Sequence, residues 1–306
     1  MKNFLKGILF FFIPIFLIFG AIEFYVRNSP NAFITKSEYL KNNLDNISTL
    51  VLGTSHSQNG INPAFFKKET ANISYGSQDI ATDALLLMQY APQMKNLKTV
   101  IFEYDYHRMD IDNDERFYRL PWYFIYYGIE VKPIPANKKF SLYFSNPDFF
   151  NNIIISRLKG KPKQVINKYG FVEKNYSNDF EKYNYDEFKI LKSASKRLKG
   201  RHTEFSEDIF SKNKALLIKC IEYCKRKNIR IIFVSSPLYK TYITAENPLK
   251  KKRITDLMND LVKNYKVEYY DFSNNDNFKL KDFSNDDHLN AEGAKKYTLI
   301  LNSLLK

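Results

Sequence analysis

With 306 residues, 44% of them hydrophobic and 16% aromatic, the chain can bury one large core or two small ones, which excludes general disorder. Its 47 Lys and Arg outnumber 33 Asp and Glu, for a formal charge of +14, a surplus that attracts polyanions. The lysines are scattered and no nucleic-acid module accompanies them, so the charge reads as a solvated basic surface without a nucleic-acid partner.

The first element is "MKNFLKGILFFFIPIFLIFGAIEFYVRN", uncharged over residues 7–22. Residues 4–26 supply enough helix for a hydrocarbon core of ~30 Å, with Lys6 and Glu23 near its ends. Pro14 would kink it, which lipid-embedded helices tolerate. Lys2 and Lys6 favour an N-terminus inside, placing everything after Arg27 outside the cytoplasm. Glu23, Phe24, Tyr25 and Val26 are too bulky or charged for a signal-peptidase site, which favours a retained anchor over a cleaved leader. Residues 1–28 therefore read as a single-pass anchor in the inner or plasma membrane, and residues 29–306 as an extracytoplasmic domain.

Residues 29–46 read as a short polar connection with a helical turn. The first strand, 48–53, is a continuous Leu/Val run suited to burial on both faces. Asn62 and Pro63 look like an N-cap and first helical residue, opening a short helix through Lys68. Residues 71–75 form a second strand, 81–90 a helix, and 98–105 ("KTVIFEYD") a third strand. The pattern resumes with a helix at 208–227, a fourth strand at 229–235, and a helix after Asn247-Pro248. A fifth strand at 267–271 and a closing helix at 291–305 follow. Alternating strands and helices predict an α/β fold, a flavodoxin-like three-layer αβα sandwich around a five-stranded parallel sheet. The middle, about 107–206, is dense in Tyr, Phe and Lys and reads as an inserted, partly helical subdomain over one end of the sheet. Cys220 and Cys224 share one helix face with Leu217 and Ile221, so they read as buried apolar residues; a C-x₃-C pair without further ligands is a poor metal site.

Ligands of open α/β sheets bind beyond the carboxyl ends of the strands, where "LGTSHSQNGINP" places Ser55. A serine hydroxyl needs a base to become a nucleophile, and the chain has four histidines. His56 is adjacent in sequence and expected to point away from Ser55. His107, in "EYDYHRMD", follows the third strand and can line the same cleft. His202 lies in a charged connection and reads as a surface residue. His288, in "FSNDDHLNAEGAKKYT", is on the loop after the fifth strand, at the same sheet edge as Ser55.

At these residues the sequence resembles the SGNH (GDSL-type) hydrolase superfamily. "LGTSHSQNGINP" looks like its first block, and "DDHLNAEGA" looks like its last. The resemblance covers about 48–106 and 208–306, not the insertion. It implies Ser55 as nucleophile, His288 as base, and a first strand in the middle of the sheet. It also implies oxyanion donors at the Ser55 amide and, from "NISYGSQD", at the amide of Gly76 or Ser77. The family's third-block asparagine is missing, so His107 or a backbone amide would take its place. The position three before His288 is Asn285 where the family has aspartate. Asp286 would then orient the imidazole through a shortened loop, or the site works as a Ser–His dyad.

Together with the anchor, the chain resembles the membrane-anchored members linked to teichoic-acid D-alanylation and bacterial polysaccharide O-acetylation. That likeness implies an acyl group carried on Ser55 and accepted by a cell-surface polysaccharide hydroxyl, or by water, beside a membrane-bound O-acyltransferase. Neither chemistry calls for a metal or a soluble cofactor. The alternative is a non-catalytic, membrane-anchored scaffold that binds glycan or a partner and keeps a degenerate site. The missing asparagine and displaced aspartate favour it; the retained Ser55 and His288 oppose it.

Overall fold

The structure, a computed structural model, describes the chain except residues 1, 115–116, 162–163, 175–177, 199–205 and 306. His202 thus lies outside the described residues. The described chain forms two compact units, 1–31 with 114–163, and 32–113 with 164–306. In the first unit, helix α1 (Lys2–Arg27) opens the chain. Its segment Lys6–Arg27 is long and apolar enough to cross a membrane, with an 18-residue stretch of mean hydropathy 2.4 that protein does not bury.

The second unit begins with α2 (Ala32–Asn42), an eleven-residue helix where a polar connection was expected. Burial explains it: Phe33, Ile34 and Leu40 pack inward. Lys36 goes with them, donating from Nζ to the Ser74 carbonyl at 3.0 Å, and burial pushes its amine down to about 7. Next come β1 (Thr49–Leu52), α3 (Ser55–Gly60), β2 (Thr70–Asn72), α4 (Ile80–Tyr90) and β3 (Thr99–Glu103). Between β1 and β2, the Asn62-Pro63 signal yields only a 3₁₀ turn, Pro63–Phe65, capped by the Asn62 side chain. A two-stranded ribbon, β4 (Val165–Ile166) and β5 (Val172–Lys174), leads to α5 (Glu187–Arg197) and α6 (Glu207–Arg226). The unit closes with β6 (Arg230–Ser235), α7 (Pro248–Tyr265), β7 (Glu268–Asp271) and α8 (Ala291–Leu304).

The main sheet is all parallel, in the order β2-β1-β3-β6-β7. The first strand is therefore interior, with β3 at the centre, a shift of one place from the implied order. Facing pairs such as Leu50 with Val100 and Val100 with Ile231 are almost wholly buried, as a doubly covered sheet requires. Val51, Ile101, Ile232 and Val234 share one core with Tyr297 and Leu301 of α8. Their strand neighbours alternate to the other face, where α6 packs beside α4 and buries the free thiols of Cys220 and Cys224.

The middle segment does not form the single insertion expected over 107–206. Phe180 and Ile190 are fully buried in the core that contains Val51 and Tyr297, so 164–206 joins the sheet unit. Residues 114–163 instead join α1, through short helices including Leu142–Ser145 and Pro147–Leu158.

Candidate active site

The turn after β1 is fixed by a carboxylate from the neighbouring strand. Glu103, the last residue of β3, accepts the amides of Thr54 and Ser57 at 2.8 Å each on Oε2, and the Thr54 hydroxyl on Oε1. This approach dictates Gly53, since a Cβ there would lie 2.6 Å from the Glu103 Cβ. Chain reversal at Gly53-Thr54 makes Ser55 the first residue of α3, half-buried, at the carboxyl edge of the sheet. Its Oγ makes no hydrogen bond among the described residues, while its carbonyl accepts from Asn59 Nδ2 at 2.7 Å.

His56 turns inward, away from solvent. Its Nδ1 meets Asp105 Oδ2 at 2.5 Å, and its Nε2 faces Asp287 Oδ2 at 3.6 Å. The other Asp105 oxygen accepts the amide of Ser236, the residue after β6, at 2.7 Å. Two further histidines flank His56 edge to face, with ring centroids 4.7 Å away for His107 and 5.1 Å for His288.

His288 is held by the loop after β7. A bridge between Phe283 and Leu289 closes that loop, and the Ser284 amide donates to the His288 carbonyl at 2.8 Å. Asn285 Oδ1 organises the interior, accepting from the amides of Asp287 (3.1 Å) and His288 (2.8 Å) and standing 3.1 Å from His288 Nδ1. Asp287 Oδ1 also lies 3.1 Å from that nitrogen. A neutral ring donating from Nδ1 to Asn285 Oδ1 would leave Nε2 with a lone pair. Nε2 is buried and has no hydrogen-bond partner among the described residues.

The sequence-predicted residues thus occupy distinct places. Ser55, His288 and His107 come to one sheet edge, but no hydrogen bond joins Ser55 to His288. Asp286 turns its Oδ1 to another partner, accepting from Thr241 Oγ1 at 2.5 Å. Asn285 does reach the imidazole, as an amide at the position where an acid was expected. The Gly76 amide already donates to Gln58 Oε1 at 2.8 Å. Ser77 is exposed with φ 57°, and its carbonyl accepts from Asn113 Nδ2 at 2.7 Å. His107 has its Nε2 3.5 Å from Thr54 Oγ1 and its Nδ1 buried without a partner among the described residues.

Electrostatics sort the cluster. Burial opposes charge on His56, but Asp105, with Asp287 and Glu103 behind it, raises its imidazole well above the usual range. Burial likewise opposes ionisation of Asp287, yet the His288 and His56 rings hold its carboxyl well below the usual carboxylate range. His107 is pushed well below, first by burial and then by the charge on His56. Burial and Asp105 raise Glu103. An imidazolium at His56 therefore lies between carboxylates, beside a neutral His107.

Among the described residues, two sets of groups have ligand atoms within 4.8 Å of one another, His56 with Asp287 and His288, and His56 with Glu103 and His107. This convergence was not visible in the sequence. Within each set the carboxylates already face histidines or accept backbone amides, so the groups pair with one another. Sequence reasoning missed Glu103, Asp105, Asp287 and the inward turn of His56. A signal was present, since Glu103 and Asp105 stand two apart at the end of an otherwise apolar strand, which puts both carboxylates on one side.

Two solved structures are similar over most of the chain. One, from Bacteroides fragilis NCTC 9343 and described as an acylhydrolase, has 10% identity and a TM-score of 0.41, covering 87% of this chain and 94% of its own. The other is a GDSL-like lipase from Bacteroides thetaiotaomicron VPI-5482, with 11% identity and a TM-score of 0.41, covering 89% of this chain and 98% of its own. Likeness at that level assigns no residue a role. No family model and no curated protein matches the sequence.

Proposed function

We propose that this chain is a membrane-anchored serine acyl-ester enzyme, an esterase or O-acyltransferase with Ser55 as nucleophile and His288 as base. One observation carries the reading: His288 Nδ1 bonds Asn285 with Asp287 Oδ1 3.1 Å away, while Nε2 is buried and unpartnered among the described residues. That is the orientation a general base needs beside a serine. Ser55 offers an unengaged hydroxyl at the same sheet edge. Rotation about its Cα–Cβ bond on substrate binding is the step that would unite the pair, since catalytic hydrogen bonds commonly tighten only in the complex.

In this mechanism Ser55 Oγ attacks the ester carbonyl carbon while its proton passes to His288 Nε2. The tetrahedral oxyanion faces the Ser55 amide, the first N–H of α3. Collapse breaks the bond to the leaving alcohol, which takes the proton from Nε2, and the acyl group stays on Ser55. Water or an acceptor hydroxyl then attacks the acyl-serine, again giving its proton to Nε2, and the second collapse returns that proton to Ser55. Asp287 is the orienting carboxylate, and the His56–Asp105 pair fixes Asp287 from behind.

The substrate we assign is an acyl group on, or destined for, a cell-surface polysaccharide hydroxyl. Support comes from the apolar N-terminal helix, the lysines preceding it that favour an N-inside orientation, and the motif resemblance to envelope O-acylation proteins. A membrane-bound O-acyltransferase is the partner that resemblance suggests.

A fluorophosphonate probe applied to the full chain in detergent tests the serine chemistry. Wild type is expected to acquire one covalent adduct, and Ser55→Ala and His288→Ala to lose it. If wild type and Ser55→Ala proved equally inert, the site would be degenerate and a scaffold role would replace catalysis.

A further inference from the structure

In the first unit, further side chains pack against the Arg27 half of α1. Phe19 of α1 packs against Phe144 and Tyr143, with ring centroids 5.5 and 6.3 Å apart. Phe19 stands eight residues before Arg27, about 12 Å along the helix axis. The 22-residue apolar segment measures about 33 Å, barely more than a hydrocarbon core. If α1 spans, there is no slack to lift Phe19 into water, and the residues beside it share its depth.

A second feature agrees. Glu23 sits four residues inside the Arg27 end, where a bare carboxylate is costly in lipid. It accepts from Arg27 Nε (2.6 Å), Ser141 Oγ (2.8 Å), and the amides of Leu142 (2.9 Å) and Tyr143 (3.1 Å). The start of the Leu142–Ser145 helix is thereby fastened to the anchor at that depth. Arg157, on the next helix, bonds Tyr25 Oη at 3.0 Å and Ser29 Oγ at 2.8 Å, so its charge stays at the Arg27 end.

Beside the polar Asp148, Asn151 and Asn152, the 140–158 segment leaves large apolar side chains uncovered. Phe140, Phe144, Phe149 and Ile155 are exposed, and Leu158 is 82% exposed beside an open groove of about 400 Å³ against Ala21 and Ile22 of α1.

We propose that the 140–158 segment is a lipid-contacting element, lying in the headgroup–acyl boundary against the outer end of α1. Its occupant is the bilayer, because the apolar face continues that of the spanning helix. The inference rests on α1 being a membrane anchor and is independent of the serine chemistry.

The experiment uses full-length protein in phosphatidylcholine vesicles, with a fluorophore on single introduced cysteines at Phe144→Cys, Leu158→Cys, Phe12→Cys and Lys263→Cys. Native Cys220 and Cys224 are buried and stay unlabelled. Leu158 is so exposed that its replacement removes little packing, which guards against a misfolded Phe144→Cys variant. Labels at 144 and 158 are expected to lose emission to lipids carrying a nitroxide near the headgroup and to resist aqueous iodide, whereas 263 does the reverse. If 12 responds to lipid while 144 and 158 respond to iodide, the anchor stands and the proposal fails. A face shielded from both quenchers would be covered by protein, which also overturns it. A label at 12 open to iodide would remove the anchor and the proposal together.

Discussion

Asp287 holds its Oδ1 3.1 Å from Nδ1 of His288, its neighbour in sequence. The preceding carboxylate, Asp286, is spent on Thr241. Two adjacent aspartates thus predict opposite outcomes. Asp287→Asn should lower kcat/KM on a nitrophenyl acetyl ester by about 10²–10⁴, the range of a disturbed general base. Asp286→Asn should stay near wild type in rate once folded. Equal losses in the two variants would remove Asp287 from its orienting role.

The His56 imidazole lies between Asp105 and Asp287, which raise it well above its ordinary range although burial works against charge. Its proton therefore contributes stability in full below the unfolded value of about 6.5 and loses it as pH climbs through the higher folded value. Compared with His56→Gln, wild type should have its largest stability advantage in mildly acidic solution and a shrinking one toward alkaline pH. Ring-nitrogen NMR should find both His56 nitrogens protonated above neutrality. A ring that deprotonates near 6.5 would refute the assignment.

His107 predicts the reverse sign. Burial and the neighbouring His56 charge keep it neutral, well below the ordinary value. Below about 6.5 the unfolded chain takes up a proton that the folded chain refuses, so stability falls as pH drops toward the depressed folded value. His107→Asn should flatten that acid limb in a urea-unfolding series across pH. An unchanged slope would mean that His107 titrates as it does in the unfolded chain.

The sheet was readable because its three inner strands, β1, β3 and β6, are apolar runs bounded by polar turns, and every expected strand exists within a few residues of its observed limits. Ser55 and His288 were placed at one sheet edge for the same reason. The carboxylates were harder. Asp105 and Asp287 gain meaning only from His56, and the direction of that side chain depends on Glu103 tying down Thr54 and Ser57 across two strands. Local pattern carries no such long-range term. The middle segment misled for a related reason: its aromatics look alike in sequence, yet Phe180 enters the sheet core while Phe140 stays exposed.

Phe180 supplies the test of that division. It is fully buried, its ring 5.3 Å from that of Tyr239, and it shares a core with Val51, Ile101 and Ile232 of the sheet. Phe180→Ala should cost about 3–5 kcal/mol, the usual range for deleting a buried aromatic ring. Hydrogen exchange locates the loss: the opening free energies of the β1, β3 and β6 amides should fall together, because one core supports all three. Were residues 164–206 an independent insertion, the exchange of those strands would be untouched and only the amides near residue 180 would speed up.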